Sequence, residues 1–553
     1  MSTQYHSKQS KERAVAERAE VDVLIIGAGP TGLTTANLLA DAGLTVALIE
    51  ANPGSGDEPR AISATDETLR VMQHLGIMDR LAPEMLMDTG ARYFGLGGKV
   101  IADVRPGNPR LGQPGKSQFD QPVLEGLLYE AAAQREKISL HFNTSATSIT
   151  QDEHGVRVAA TRLGARSLGY NGALAGDSGS HSAPPENSPV TELEFNASWV
   201  IACDGGRSFA RRELGIGLQG STQVERWIVV DLLDVPGNPE PFASFHCNGT
   251  RPAVVVPGVN GRRRYEFMLF DHEDGEAMIS TESITELVTP YQDITKVTVR
   301  RATVYTAHQR IADRYRSGRV LLAGDAAHLM PPFAGQGLNA GIRDAVGASW
   351  RVAAVVKGEA NESIIDDYAT ERRPHAADMV KLSKRIGWVV MNTNPVVTRI
   401  RDAVVTGTRA LPALNRWLTQ MRFLKQPHYT TGTVVPALPG VPHLAAEFVG
   451  RSLPQPDICV DGENTKLDEL LGAGWNLIEV SAGHRLIFTD QLGNTRTALD
   501  TARVFDAATG TVLLIRPDFY VAGIAPARER QALLQSLLSK VPALGDFDTA
   551  LRH

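Results

Sequence analysis

The apolar pattern of this chain opens on a β-branched run, Val21 to Ile26. A Gly-rich turn, a helical stretch at Thr31 to Ala42 and a second apolar run at Thr45 to Glu50 follow. That order predicts a βαβ unit with glycines in its first strand-to-helix turn. Amphipathic periodicity predicts helices over Thr65 to Leu75 and Pro122 to Gln134, the second with Pro122 near its start, where a missing N–H costs least. Val156 to Thr161 and Leu193 to Ile201 read as strands. Between them, residues 163–189 are rich in Gly, Ser, Ala and Pro and predict a flexible insertion. The segments Trp227 to Asp231, Ala253 to Pro257 and Tyr265 to Phe270 predict a separate sheet within about 215–310. Long helices are expected over Gln336 to Lys357 and Ile364 to Trp388. Residues 431–453, Pro- and Gly-rich at their start, read as a linker. The tail, 454–553, has its own α/β rhythm, with strands at Asn476 to Val480 and Val512 to Arg516 and a terminal helix near Ala527 to Lys540.

With 553 residues the chain has room for about three domains. A net charge of −6 gives no footprint for nucleic acid or an anionic membrane surface. The cysteines Cys203, Cys247 and Cys459 are far apart and offer neither a disulfide framework nor metal-ligand spacing, which fits a reducing compartment. No apolar run is long enough to span a membrane. Residues 1–20 are polar, lack the apolar segment of a signal peptide and predict a flexible arm. A cytoplasmic location is the resulting expectation.

Three motifs carry chemistry. In Gly27-Ala-Gly-Pro-Thr-Gly32 the glycines at 27, 29 and 32 permit a tight turn, close backbone approach to a pyrophosphate and close helix–strand packing. Glu50, at the end of the next strand, suits the hydroxyls of an adenosine ribose. This motif alone leaves FAD and NAD undistinguished. The second motif is Val200-Ile-Ala-Cys-Asp204-Gly-Gly-Arg-Ser, which on its own is any strand–turn–helix junction. The third runs from Gly318 to Gly341: an apolar strand, Gly324-Asp325, a Pro/Gly loop and a new helix near Gly337. Asp325 suits sugar-like hydroxyls, and the free N–H groups of the helix suit a developing anion. A flavin has both parts.

In order and spacing, the three motifs resemble the class A flavoprotein aromatic hydroxylases, the family of para-hydroxybenzoate and phenol hydroxylases. The resemblance covers roughly residues 20 to 430. It implies an α/β fold: a Rossmann-like FAD-binding domain of glutathione-reductase type interleaved with a β-sheet substrate domain, then a C-terminal thioredoxin-like domain. Cys459 stands alone in that last domain, so redox activity is not expected there; the domain is expected to be structural or to form a dimer contact, and a homodimer stays open. By the same resemblance Gly27, Gly29, Gly32 and Glu50 hold the ADP half of FAD, Arg60 lies near the flavin, and Gln121 contacts the cofactor chain. Asp204 serves FAD and NAD(P)H handling, Asp325 binds ribityl hydroxyls, Pro331 borders the substrate, and Gly335, Gln336, Gly337, Leu338 and Asn339 lie along the flavin ring. Arg60-Ala-Ile62, Ala202 to Gly206, Gln223 to Asp231, Glu266-Phe-Met268, Val304-Tyr-Thr306 and Met421-Arg-Phe423 are similar to the branch acting on 3-(3-hydroxyphenyl)propionate.

That resemblance implies FAD as cofactor, NADH or NADPH as hydride donor, dioxygen as co-substrate and a phenol hydroxylated ortho to its hydroxyl. The phenol needs a hydrogen-bond acceptor, for which His246 and Tyr265 are candidates, each with packing as the plainer role. A propionate tail needs a guanidinium, for which Arg251 and the run Arg262 to Arg264 are candidates, although such a run also suits a solvated hairpin tip. Leu329 to Phe333 suits either a dry cleft wall or plain core. His328 reads as structural to its loop. Another phenol (a polyketide, a hydroxybenzoate or a resorcinol) and a flavin-binding redox sensor without turnover are the competing readings.

Overall fold

The computed structural model describes residues 17–54, 61–107, 109–164, 190–472, 474–545 and 547. Its first sheet runs Arg316–Ser317, Val320–Leu322, Val190–Ala202, Glu17–Ile26, Val46–Ile49, Ile138–His141, and every neighbour pair from Val320–Leu322 to Ile138–His141 is parallel. Val23, Leu24 and Ile25 are fully buried, as a continuous apolar run in a parallel sheet covered on both faces should be. The helices Pro30–Asp41, Gln121–Ala133 and Gly337–Val356 join its core. Glu17 to Glu20 pair with Leu193 to Asn196, so the expected arm of residues 1–20 already belongs to the sheet at its inner end; residues 1–16 lie outside the described chain. Val156–Leu163 pairs antiparallel with Val190–Ala202 down to Leu163 opposite Val190. The expected insertion therefore starts from paired ends, and residues 165–189 lie outside the described chain.

The second sheet has eight strands, in the order His328–Leu329, Thr298–Ala312, Leu218–Leu233, Arg263–Leu269, Ala253–Pro257, Phe242–His246, Gly90–Phe94, Val100–Val104. The last two come from far upstream of the expected 215–310 segment, which is why the two domains interleave. Side chains alternate across it. Trp227, Ala243, Phe245, Val254 and Val256 pack on one face with Phe333, Val390 and Met391; Ile228, Val230, Tyr265 and Phe267 pack on the other with the helix Thr281–Val288. A three-stranded sheet, Ser63–Thr65, Lys116–Phe119, Met85–Leu86, bridges the two large ones.

The C-terminal sheet has seven strands between Asp457 and Pro526, and all its pairings are antiparallel. Its helical elements between strands are single 3-10 turns, so the βαβ crossover of a thioredoxin-like domain is not among its described elements. The terminal helix is short, Arg530–Gln535. Residues 431–453 are docked along this sheet: Val435 N donates to Ala522 O (2.7 Å), Leu438 N donates to Ile524 O (2.9 Å), and Ala445 is fully buried. Buried ion pairs fix the sheet to the long helices: Glu371 accepts from Arg351 (2.6 Å) and twice from Arg516 (2.8 Å each), and Asp518 accepts from Trp350 Nε1 (3.0 Å).

Candidate active site

A single continuous cleft of about 1220 Å³ runs between the two large sheets. At one end the strand Glu17–Ile26 breaks at Gly27, which has φ +104°. A Cβ there would sit 2.5 Å from the carbonyl oxygen of Cys203, and one on Gly32 would sit 1.9 Å from the carbonyl oxygen of Gly27. Only glycine allows this crossing of backbones. Gly29 differs: its Cβ position has no atom within 4 Å, and it borders the cleft as N-cap of the helix Pro30–Asp41. Glu50 is pinned at the next strand end, its carboxylate accepting from Ala28 N (2.8 Å), Asn52 N (2.9 Å) and the Asn52 side chain (2.7 Å). A helix N-terminus with open room before it and a fixed carboxylate beside it fit a pyrophosphate and its ribose. Arg60 lies outside the described residues.

Further along, Gly324 (φ +61°) turns the strand Val320–Leu322 into the 3-10 turn Gly324–Ala326 and leaves Asp325 exposed to the cleft. Buried Asp344 holds this turn, accepting from Gly324 N (3.0 Å) and Arg372 Nε (2.8 Å), with His328 Nε2 at 2.7 Å. Burial alone would raise the Asp344 carboxyl; His328 and Arg372 outweigh it and hold the group below the usual carboxylate range. His328 is thus a brace for the loop, as expected. Gly335 (φ +60°), Gln336, Gly337 and Leu338 border the cleft at the start of the helix Gly337–Val356, whose first N–H groups have no partner within the helix. Gln121 reaches the same wall, accepting from Ala61 N (2.6 Å) and donating to Glu125 Oε1 (2.7 Å). Asp204 borders it too. Its Oδ2 accepts from Ala210 N (2.9 Å), its buried Oδ1 has no partner among the described residues, and burial raises its pKa. That oxygen is ready for a donor brought by a ligand. The polar groups on both stretches fit FAD.

Two expectations shift here. The Asn339 side chain does not face the cleft: it is fully buried and accepts from Thr65 N (2.9 Å) and Thr68 Oγ1 (2.7 Å) while donating to Ser63 O (3.0 Å) and Gly335 O (2.6 Å). It ties the loop to the strand Ser63–Thr65, and only its backbone belongs to the helix start. Pro331 is buried behind the wall; Pro332 and Phe333 form it.

The remaining wall is the second sheet, with Trp227, Ala243, Phe245, Val254 and Val256 as a dry surface and Trp227 packed edge-on to Phe333 (5.4 Å). One polar cluster interrupts it. Arg264 donates to both oxygens of Asp231 (2.7 and 3.1 Å), with Glu266 and Arg301 beside it on the cleft face. Burial raises the Glu266 carboxyl, and Arg264 opposes the rise. Arg264 was expected here; Glu266 and Arg301 were not, though a strand alternating Arg-Tyr-Glu-Phe carries the signal.

His246, Tyr265 and Arg251 are not at the cleft. Phe245 faces it, so the next residue, His246, turns to the other side, stacked on Phe94 (4.8 Å) and edge-on to Tyr291 (4.8 Å). Burial lowers its pKa. Tyr265 is fully buried on that far face beside Phe267. Arg251 is paired with Glu273 and donates to Met268 O (2.6 Å). We therefore expect His246→Gln and Tyr265→Phe to change kcat/KM no more than about threefold, far from the ~10²–10⁴-fold loss that follows removal of a general base; steady-state kinetics on the holoenzyme checks this.

Among the described residues no helix is long and apolar enough to cross a membrane, and no cluster of His, Cys, Asp and Glu has the form of a metal site. A family model described as FAD binding domain matches residues 20–383. A 3-(3-hydroxy-phenyl)propionate/3-hydroxycinnamic acid hydroxylase of Burkholderia vietnamiensis is 34% identical over 541 residues, covering 91% of this chain and 94% of its own. The enzyme of the same description from Mycolicibacterium smegmatis is 33% identical, covering 94% and 92%. Among solved structures, the flavin-dependent monooxygenase PieE in complex with FAD and substrate superposes with a TM-score of 0.75 at 21% identity, covering 96% of this chain and 100% of that one. The anhydrotetracycline hydroxylase OxyS of Streptomyces rimosus gives 0.72 at 23% identity, covering 95% and 99%.

Proposed function

The chain belongs to the FAD-binding-domain family of flavin-dependent aromatic hydroxylases, and from that premise we propose that it hydroxylates 3-(3-hydroxyphenyl)propionate, or a close phenylpropanoid, ortho to the existing hydroxyl. NADH or NADPH is the proposed hydride donor. FAD, when bound, supplies the chemistry that joins hydride transfer to oxygen insertion. The observation that carries this reading is the single cleft. One end has the Gly27–Gly32 turn with Glu50, the middle has Asp325 and the helix start at Gly337, and the far side is an apolar wall broken by Arg264 and Arg301.

Each part has a task. Gly29 and the helix behind it receive the diphosphate, and Glu50 and Asp325 accept hydrogen bonds from hydroxyls. The N-terminus of Gly337–Val356 favours negative charge on a bound ring by about 0.3–1 kcal/mol, up to ~2 when partly buried. Trp227, Phe245 and Val254 keep water from the reacting centre. Arg264, held in the wall by Asp231, and Arg301 offer a guanidinium surface to a carboxylate tail. The relatives' names, which specify a phenol with a three-carbon acid, support this assignment.

The test is direct. The purified protein is expected to be yellow, to consume NAD(P)H and oxygen faster when the phenylpropionate is added, and to release a catechol. Stimulation by other phenols but not by this one would move the substrate elsewhere. A yellow protein that no phenol stimulates would point to a sensor.

A further inference from the structure

The strand Lys116–Phe119 carries two polar side chains that neither the nucleotide end nor the Arg264 cluster uses. Lys116 and Gln118 are two residues apart, share one face of the strand, and both border the cleft. Gln118 is 2% exposed, and neither its amide oxygen nor its nitrogen has a partner among the described residues. The Lys116 ammonium also has no acceptor or ion-pair partner there. A buried amide left wholly unpaired is rare and calls for a ligand or an ordered water to complete it.

Their place is specific. Gln118 lies opposite Ser63 and Lys116 opposite Thr65 in the small sheet. A Cβ on Gly335 would sit 3.1 Å from Ser63 Cβ, so this sheet abuts the loop that opens the helix Gly337–Val356. On the other side, Thr89 N donates to Lys116 O (2.8 Å), and the chain passes directly into Gly90–Phe94, which pairs with Phe242–His246 of the second sheet. Lys116 and Gln118 therefore stand where the flavin end of the cleft meets its apolar wall.

We propose that Lys116 and Gln118 receive the phenol hydroxyl of the substrate. This rests on the hydroxylase reading above. The neutral Lys116 amine takes the hydroxyl proton, and the ammonium so formed, with the Gln118 amide N–H, holds the phenolate oxygen. One proton moves from oxygen to Nζ, no electrons are exchanged, and the proton returns as product leaves. The sheet cluster with its two arginines is left to the carboxylate.

The surroundings suit a lysine that is neutral part of the time. Burial draws its pKa down to about 8, and no charged neighbour contributes to the shift. The strands Ser63–Thr65 and Met85–Leu86 packed beside it bring no titratable side chain. Asp66 and Glu67, next along the chain, face Arg110 and Arg343. The charged and titratable groups that the second sheet brings to the cleft are Arg264, Glu266, Arg301, Tyr305, His308 and Arg310.

Difference spectroscopy of the holoenzyme with 3-(3-hydroxyphenyl)propionate, from neutral to alkaline pH, tests the assignment. Wild type is expected to show bound phenolate well below the ordinary phenol pKa of about 10. Lys116→Met should lose that band and form product about 10²–10⁴-fold more slowly, with flavin content unchanged. Gln118→Leu should weaken the band. Lys116→Gln, which keeps an N–H donor but has neither the charge nor a base, should bind the ligand without the band, and it carries the test if Lys116→Met does not fold. A hydroxylating wild type whose Lys116→Met variant keeps both band and rate sinks the proposal alone. A loss of affinity for the phenylpropionate but not for 3-ethylphenol would hand Lys116 to the carboxylate and overturn it equally. A wild type that turns over no phenol sinks the parent reading as well.

Discussion

Gly32→Ala is expected to yield protein that retains no flavin, or no soluble protein at all. The added methyl would lie 1.9 Å from the carbonyl oxygen of Gly27, and Gly27 itself is confined by the Cys203 carbonyl. Backbone on both sides leaves no flexible atom to give way. The helix Pro30–Asp41 would have to move off the sheet, at a cost of about 3 kcal/mol or more. Gly29→Ala provides the contrast. Its methyl meets nothing within 4 Å, so the fold is expected to stand with an unchanged melting temperature. FAD affinity should still fall by about tenfold or more, because the methyl occupies the space through which the backbone approaches a pyrophosphate. Flavin-to-protein absorbance ratios and FAD titration of the apoprotein separate the two variants. Equal flavin retention in both would show that steric closeness at Gly32 does not govern the turn.

The second large effect lies far from the cleft. Glu371 and its partners Arg351 and Arg516 have side chains with no exposure. Glu371→Ala leaves two buried guanidinium groups short of a counter-charge, although Arg516 keeps Asp518 (2.5 Å). A loss of about 3–5 kcal/mol is expected, seen by calorimetry as a fall in apparent melting temperature of roughly 3–4 °C for a chain of 553 residues. The pH dependence has a definite sign. Burial alone would raise the Glu371 carboxyl, but Arg351 and Arg516 bring it from 4.5 down to about 2. Its contribution is therefore complete above pH 4.5 and disappears as pH falls through that value toward about 2. Wild type should lose stability in this window more steeply than Glu371→Ala. Parallel acid-unfolding curves would refute the assignment.

What could be read in the sequence follows from which forces are local. The Gly27–Gly32 turn, Glu50 and Asp325 were legible because glycine spacing and strand ends specify them without reference to the rest of the chain. The sheet face was not. His246 and Tyr265 each sit one residue from a side chain that does border the cleft, and with a period of two, one residue decides everything. Which parity faces the cleft is fixed by packing of the sheet against Phe333 and Met391, which lie far away in sequence. Arg251 looked available because its partner Glu273 comes from another turn of chain. The strand Lys116–Phe119 was not read at all: Lys-Ser-Gln-Phe has no apolar alternation, and its strand character comes from its two neighbours. In the tail, isolated apolar runs suggest an α/β rhythm, but those runs pair as antiparallel neighbours with little helix between them.

The Asp344 brace has a consequence for how the molecule tolerates disturbance. Arg372, which grips Asp344, also donates to Tyr429 Oη (3.2 Å), and that ring packs against Tyr520 of the C-terminal sheet (4.7 Å). The carboxylate that steadies the Gly324 turn is thus the inner end of a strut whose outer end is anchored in the tail. Tyr520, Tyr429, Arg372 and Asp344 form an unbroken line of side-chain contacts from the last hundred residues to the turn that carries Asp325.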